Sequence, residues 1–213
     1  MHKPSIGITP EGAPCLILGA LATLVCAMLG CFVFTVIFFL LFAFCMHFFR
    51  DPERIVPRGE GLAVSPADGR VVSIRMAPDP VSGESRQCVG IFMNLLNVHV
   101  NRIPVSGEIV DIRYYPGKVI NASWDKASTD NERCVYVVKD DKKTEWTVVQ
   151  IAGLLARRIV SYVEVGDKLN AGQRFGMIRF GSRLDIYLPE GVDPLVGVGD
   201  SVWAGETIIA KRT

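Results

Sequence analysis

From Gly12 to Phe49 the chain carries no Asp, Glu, Lys or Arg, and the stretch CLILGALATLVCAMLGCFVFTVIFFLLFAFCMHFF is almost wholly apolar. A single helix crosses about 30 Å of hydrocarbon with roughly 20 apolar residues, so the run is longer than one crossing requires. It predicts a membrane segment over residues 13–49, after an N-terminal tail of residues 1–12. One long tilted span and two short helices turning near Gly30 and Cys31 both satisfy the pattern. A secretory signal has a shorter apolar core, a basic start and a small-residue cleavage site; Lys3 alone and the length of the run argue against one. Arg50, Arg54 and Arg58 follow at once in FRDPERIVPRG, and basic residues favour the cytoplasmic flank. The expectation is a chain held at the cell membrane, with residues 50–213 facing the cytoplasm.

Nearly all the charge lies in that second part, and the net charge of the whole chain is only +1. This is not the footprint of a nucleic-acid binder. Of six cysteines, Cys15, Cys26, Cys31 and Cys45 lie in the apolar run, leaving Cys88 and Cys134. With no CxxC pair and no Cys/His cluster at zinc spacing, the pattern predicts neither a metal site nor a disulfide framework, and fits a reducing compartment.

After Gly61 the chain reads as short β runs punctuated by Gly, Pro and Asp: RVVSIRM, CVGIFM, GEIVDIRYY, CVYVVK, EWTVVQIA and LDIYL. These are rich in β-branched and aromatic residues, many with period-two alternation. VVQIAGLLARRIVSYV is the one candidate for a helical turn and reads equally well as strand. A repeat, V-x-V-G-D-x-x-x-A-G, starts at Val163 and again at Val196. Hairpin units of this kind occur in barrel-sandwich domains of the lipoyl-carrier type. The predicted fold is therefore mainly β, a compact barrel-sandwich-like (lipoyl-hairpin-like) domain preceded by the membrane segment.

Three places could carry chemistry. Of three histidines, His2 lies in the tail and His47 at the end of the apolar run, so His99, in NVHVNRIPVSGEI, is the one available as a general base in the β domain. Asp68, in SPADGRVVSI, is either an Asp-Gly turn residue or a carboxylate that orients a histidine. Ser182 follows Gly181 in RFGSRLDIYLP. A glycine inside a strand marks a bulge, a bend or a close approach, and here it exposes its own carbonyl to the next hydroxyl. Attack by the serine would convert the amide to an ester, and elimination followed by hydrolysis would leave a pyruvoyl group and ammonia, given a base.

FFRDPER, SPADGRV, NVHVNRIPVSGEI, NERC, VVQIAGLLARRIV and RFGSRLDIYLP occur in this order behind an apolar N-terminus. From about Phe48 to the end, the chain thereby resembles the short bacterial and archaeal form of phosphatidylserine decarboxylase. The resemblance implies a proenzyme that cuts itself between Gly181 and Ser182 into a β chain, 1–181, and an α chain, 182–213. The α chain would begin with a pyruvoyl group made from Ser182, with Asp68 and His99 assisting. It further implies pyruvoyl chemistry in place of pyridoxal phosphate or a metal: a Schiff base with phosphatidylserine, loss of CO₂ and release of phosphatidylethanolamine. Longer members carry a second histidine three residues after the first; here that position is Arg102, which leaves acid-base work to His99. Arg102, Arg133, Arg157 and Arg158 are candidates for the lipid phosphate.

Two alternatives stay open at this stage. One is the same mechanism on archaetidylserine, whose head group is identical. The other is a non-enzymatic membrane-anchored adaptor of lipoyl-like fold, although the repeat tips Asn170-Ala171-Gly172 and Trp203-Ala204-Gly205 carry no lysine for a lipoyl group. The expected partners are phosphatidylserine in the membrane and the chain's own two fragments, without nucleic acid. Homo-oligomerisation is left open.

Overall fold

The computed structural model describes residues 7–117, 130–153, 158–179 and 182–212. The chain divides into two units, at residues 2–53 and 54–213. In the first, the apolar run forms α1 (Ala13–Met28) and α2 (Phe32–Phe48), entered through a 3-10 turn at Pro10–Gly12. The break falls at Gly30, whose φ of +72° suits a residue without a Cβ. The helices fold back on one another, so closely at Gly19 that a Cβ there would lie 3.3 Å from Phe42. Backbone bonds close the base of the hairpin, from Thr9 N–H to Phe49 O at 2.9 Å and from Asp51 N–H to Gly7 O at 2.6 Å. Pro10–Met28 is long and apolar enough to cross a membrane, whereas Phe32–Phe48 is shorter.

The second unit is mainly β, with a curled half-barrel sheet. Its strands are β1 (Leu62–Val64), β2 (Gly69–Pro78), β3 (Ser85–Met93), β4 (Val100–Arg102), β5 (Gly107–Tyr115), β6 (Arg133–Asp140) and β7 (Glu145–Ala152). They continue with β8 (Ile159–Ser161), β9 (Lys168–Leu169), β10 (Arg174–Ile178), β11 (Ser182–Leu188), β12 (Val192–Pro194), β13 (Ser201–Val202) and β14 (Ile208–Arg212). An eight-stranded sheet runs β13-β2-β3-β11-β7-β6-β5-β9, with two three-stranded sheets, β1-β14-β12 and β4-β10-β8. The segment that read as either helix or strand is strand at both described ends, in β7 and β8.

The structure reveals a longer repeat than the one legible beforehand. SPADGRVVSIR (65–75) and IPVSGEIVDIR (103–113) occupy equivalent places. Val64 N–H bonds Pro104 O as Arg102 N–H bonds Pro66 O, each at 2.9 Å. β2 and β5 carry a bulge at the same step, between Val71 and Ser73 and between Ile109 and Asp111. Each then receives one VGD loop: Gly199 N–H bonds Val71 O and Gly166 N–H bonds Ile109 O, both at 2.8 Å. This places β13 and β9 at opposite edges of the large sheet, with β11 and β7 in its middle.

β11 pairs with β3 on one side and β7 on the other. Ser182, Leu184, Ile186 and Leu188 are buried on one face, where the three leucine and isoleucine side chains join the main core with Ile91, Val148 and Phe175. The alternation predicts a wetter opposite face, yet Arg183, Asp185 and Tyr187 are buried too, Tyr187 against Cys88, Val149 and Ile151. Arg183 explains this. Its Nε donates to Asp185 Oδ1, and its Nη2 reaches across β3 to Ser73 Oγ on β2 at 2.8 Å. Gly90 makes the passage: a Cβ there would collide with that guanidinium and with Ser73 Oγ.

Breaking a buried ion pair from one side costs about 3–5 kcal/mol. Arg183→Met is accordingly expected to lower Tm by roughly 10 °C for a domain of this size, read by thermal unfolding in detergent. The double variant Arg183→Met/Asp185→Leu should recover much of the loss, because no charge is then left buried on that face.

Candidate active site

One end of the large sheet gathers the chemistry. Antiparallel register sets the start of β2, the end of β3, the start of β11 and the end of β7 side by side: Arg70 faces Phe92, while Ser182 faces Met93 and Ala152. Gly69 is thus two strand spacings from Ser182, about 10 Å, and Asp68 precedes it. Ser182 is fully buried, and its Oγ lies 3.8 Å from Met93 Sδ. Gly181 lies outside the described residues.

His99 is tied to this end from two directions. A tight turn carries the chain from Met93 to His99: Leu96 N–H bonds Asn94 Oδ1 at 2.8 Å, and Asn94 N–H bonds Asn97 Oδ1 at 2.9 Å. On the other side, Ile178 N–H donates to His99 O at 3.3 Å, four residues before Ser182. The ring is fully buried, with Nδ1 2.9 Å from Asn97 O. A carbonyl only accepts, so Nδ1 carries the proton and Nε2 is the basic nitrogen of the neutral ring.

Asp68 shares the sheet end, and its bonds are to groups other than a histidine. Ala204 N–H donates to Oδ1 at 2.7 Å, and Arg54 Nη2 donates to Oδ2 at 2.9 Å, while Arg54 Nη1 holds Glu206 at 2.9 Å. In the other repeat copy Ser106 occupies the equivalent position, and Ala171 N–H donates to its Oγ at 2.9 Å.

The arginines part ways. Arg102 is buried, donating from Nη1 to Gly172 O at 2.9 Å. Arg133 opens β6 at the same sheet end, its guanidinium carbon 4.7 Å from the centre of the Tyr115 ring. Arg158 is exposed, and its carbonyl accepts from Arg179 N–H at 3.3 Å. Arg157 lies outside the described residues. Sequence reasoning passed over Arg179, whose Nε is buried without a hydrogen-bond partner three residues before Ser182. It also passed over two fully buried amides, Gln150, opposite Leu184 on β7, and Asn101, which touches the same Met93 sulfur as Ser182. A lone amide inside the apolar strand EWTVVQIA was the available signal.

The family model for phosphatidylserine decarboxylase matches residues 41–210. The phosphatidylserine decarboxylase proenzyme of Nitratidesulfovibrio vulgaris is 61% identical over 213 residues, covering 100% of this chain and 98% of the relative. That of Polynucleobacter asymbioticus is 47% identical over 211 residues, covering 99% and 98%. The chain belongs to the phosphatidylserine decarboxylase family. Membership makes it an enzyme and removes the adaptor alternative. Among solved structures, glucose permease IIA from Mycoplasma capricolum aligns with a TM-score of 0.41 and 16% identity, covering 70% of this chain and 93% of that one.

The two thiols of the β domain, Cys88 and Cys134, are buried. Burial, and then the charge of Asp185, pushes the Cys88 thiol far up, and burial raises the Cys134 thiol. Thiolates are the reactive form, so both should stay unlabelled by a disulfide reagent at about pH 8 in the native protein and label fully in denaturant, as read by peptide mass. Fast native labelling at Cys88 would mean that the face holding Arg183 and Asp185 opens.

Proposed function

We propose that this chain cuts itself between Gly181 and Ser182 and then decarboxylates phosphatidylserine to phosphatidylethanolamine. The observation that carries the reading is the placement of Ser182. It is the first residue of a strand buried on both faces, and Ile178, four residues before it, donates its N–H to the carbonyl of His99, a buried histidine whose bond to Asn97 O leaves Nε2 as the base.

In the cut, Ser182 Oγ attacks the Gly181 carbonyl carbon while His99 takes the hydroxyl proton and returns it to the departing amide nitrogen. The C–N bond breaks and an ester links the two parts. His99 next removes the Cα proton of residue 182, the electron pair forms Cα=Cβ, and the Cβ–Oγ bond breaks to free the Gly181 carboxylate. Water then hydrolyses the resulting enamine, through its imine form, to a ketone and ammonia.

Position 182 fits such a group. It is dry, its neighbour is a soft thioether in place of a strong acceptor, and the strand stays paired on both sides from Arg183 onward. A pyruvoyl group there supplies the electron sink that α-amino acid decarboxylation needs. The protein's own residues do the rest. His99 Nε2 delivers the proton to the substrate Cα, the packed strands exclude water, and Arg133, Arg158 and Arg179 are the candidates for the phosphate and carboxylate. Arg102, bonded to Gly172, braces the loop, and Arg54 holds Asp68. α1 and α2 form a membrane hairpin that keeps the enzyme at the bilayer holding its substrate, and the basic residues after it favour a cytoplasmic catalytic domain.

Denaturing electrophoresis with intact mass should show fragments 1–181 and 182–213, the smaller one blocked at its N-terminus and reactive towards hydrazines. Ser182→Ala should remain whole and inactive, and His99→Ala should slow cutting, decarboxylation or both by about 10²–10⁴-fold. A single whole chain in an active preparation overturns the proposal, and unchanged rates in His99→Ala remove that residue from it.

A further inference from the structure

A chain of buried side chains that neither the cut nor the decarboxylation has used runs through the core and ends at Ser182. Tyr136 Oη donates to Gln150 Oε1 at 2.9 Å, and Gln150 Nε2 donates to Asn101 Oδ1 at 2.7 Å. Asn101 Nδ2 lies 3.6 Å from Met93 Sδ, the same sulfur that Ser182 Oγ touches at 3.8 Å. All five residues are fully buried. The fold makes room for the chain at Gly176, where a Cβ would lie 2.9 Å from Gln150 Nε2. Tyr136 is braced edge-on by Phe175, with ring centres 4.9 Å apart.

The direction of these bonds is set from one end. Burial, and then Cys134, pushes the Tyr136 phenol far up, so it stays protonated and donates. Gln150 must therefore present its oxygen to Tyr136 and its nitrogen to Asn101. That bond occupies the Asn101 oxygen and turns the Asn101 amino group towards the Met93 sulfur, which Ser182 Oγ also touches. A thioether is a weak acceptor, and a buried N–H facing only such a group forfeits most of a hydrogen bond. The network thus keeps a strong donor on the same sulfur that Ser182 Oγ touches, where the uncut chain uses it poorly.

Resting on the self-cleavage reading above, we infer that Asn101 Nδ2 is the catalytic donor to Oγ in the elimination step. Tyr136 and Gln150 are the positioning residues that aim it. When the Cβ–Oγ bond breaks, the electron pair stays on Oγ, which by then is an oxygen of the new Gly181 carboxylate. An ester oxygen accepts a hydrogen bond weakly, whereas a carboxylate oxygen accepts strongly. The donor consequently favours the transition state over the ester that precedes it, which is the condition for lowering a barrier.

The test uses the full chain synthesised in a cell-free system with detergent, sampled over time with and without neutral hydroxylamine. Hydroxylamine splits an ester at Gly181 and leaves a smaller fragment beginning with free serine. Asn101→Leu is expected to slow appearance of the ketone-bearing fragment about 100-fold, while hydroxylamine-sensitive chain accumulates. Tyr136→Phe, which keeps the ring against Phe175, should accumulate the same species with several-fold slowing. Wild-type rates in Asn101→Leu overturn the inference, as does an uncut Asn101→Leu chain that resists hydroxylamine while melting like the wild type. Should Asn101→Leu fail to fold, Tyr136→Phe decides alone, and its cutting at the wild-type rate without ester accumulation overturns the inference. Ser182→Ala must resist hydroxylamine throughout; a fragment from that variant would mean that the self-cleavage reading itself is wrong.

Discussion

In the proposed maturation, β11 has to remain a central strand after the peptide bond before its first residue is broken. A strand held only by its covalent neighbours would leave the sheet, taking its new end with it. Here hydrogen bonds to β3 and β7 run along its whole length, and both faces are out of water. The Arg183–Asp185 pair adds a tie that begins one residue past the proposed cut and reaches Ser73 two strands away. Because the guanidinium crosses above Gly90, the tie depends on a residue of β3 having no side chain. The sheet is thus arranged so that losing one covalent bond leaves Ser182 and its surroundings in register.

The two-copy architecture separates what the fold needs from what the chemistry needs. Ser106 shows that a hydroxyl is enough to receive the Ala171 amide and hold its turn. Asp68 does the same for Ala204 with one oxygen, so its second oxygen and its charge are surplus to the architecture. That surplus is met by Arg54, which also binds Glu206. Asp68 is therefore tied into a charge cluster within a strand spacing or two of the proposed cut, where an unmatched carboxylate would oppose the negative charge of the proposed acyl transfer and elimination.

Much of this was legible in the sequence, and the rest was hidden for identifiable reasons. The charge-free run announced the apolar helices, and β-branched runs between Gly and Pro announced a β domain. Gly181-Ser182 stood out because glycine is unwelcome inside a strand. The double burial of β11 was hidden because Arg183, Asp185 and Tyr187 read as a wet face, and only the fold shows that they satisfy one another and a serine two strands away. The longer repeat was hidden because its copies keep size and burial at Val71 and Ile109 while differing in residue identity at Ser73 and Asp111. The Arg54–Asp68 bond joins residues on either side of β1, a distance over which spacing says nothing about contact.

The tautomer of His99 links these observations to the chemistry. With Nδ1 committed to Asn97 O, the ring needs no carboxylate to fix its orientation. Arg102, at the position of the second histidine in longer relatives, donates to Gly172 O. An arginine there supplies a permanent donor and a positive charge but no base. In the proposed mechanism, proton transfers in the acyl shift, the elimination and the decarboxylation would then fall to one nitrogen, His99 Nε2, used at different stages. A single base serving the proposed steps must find each proton near the same place, and burial of Ser182 on the main-core side of β11 would keep residue 182 there from the first step to the last.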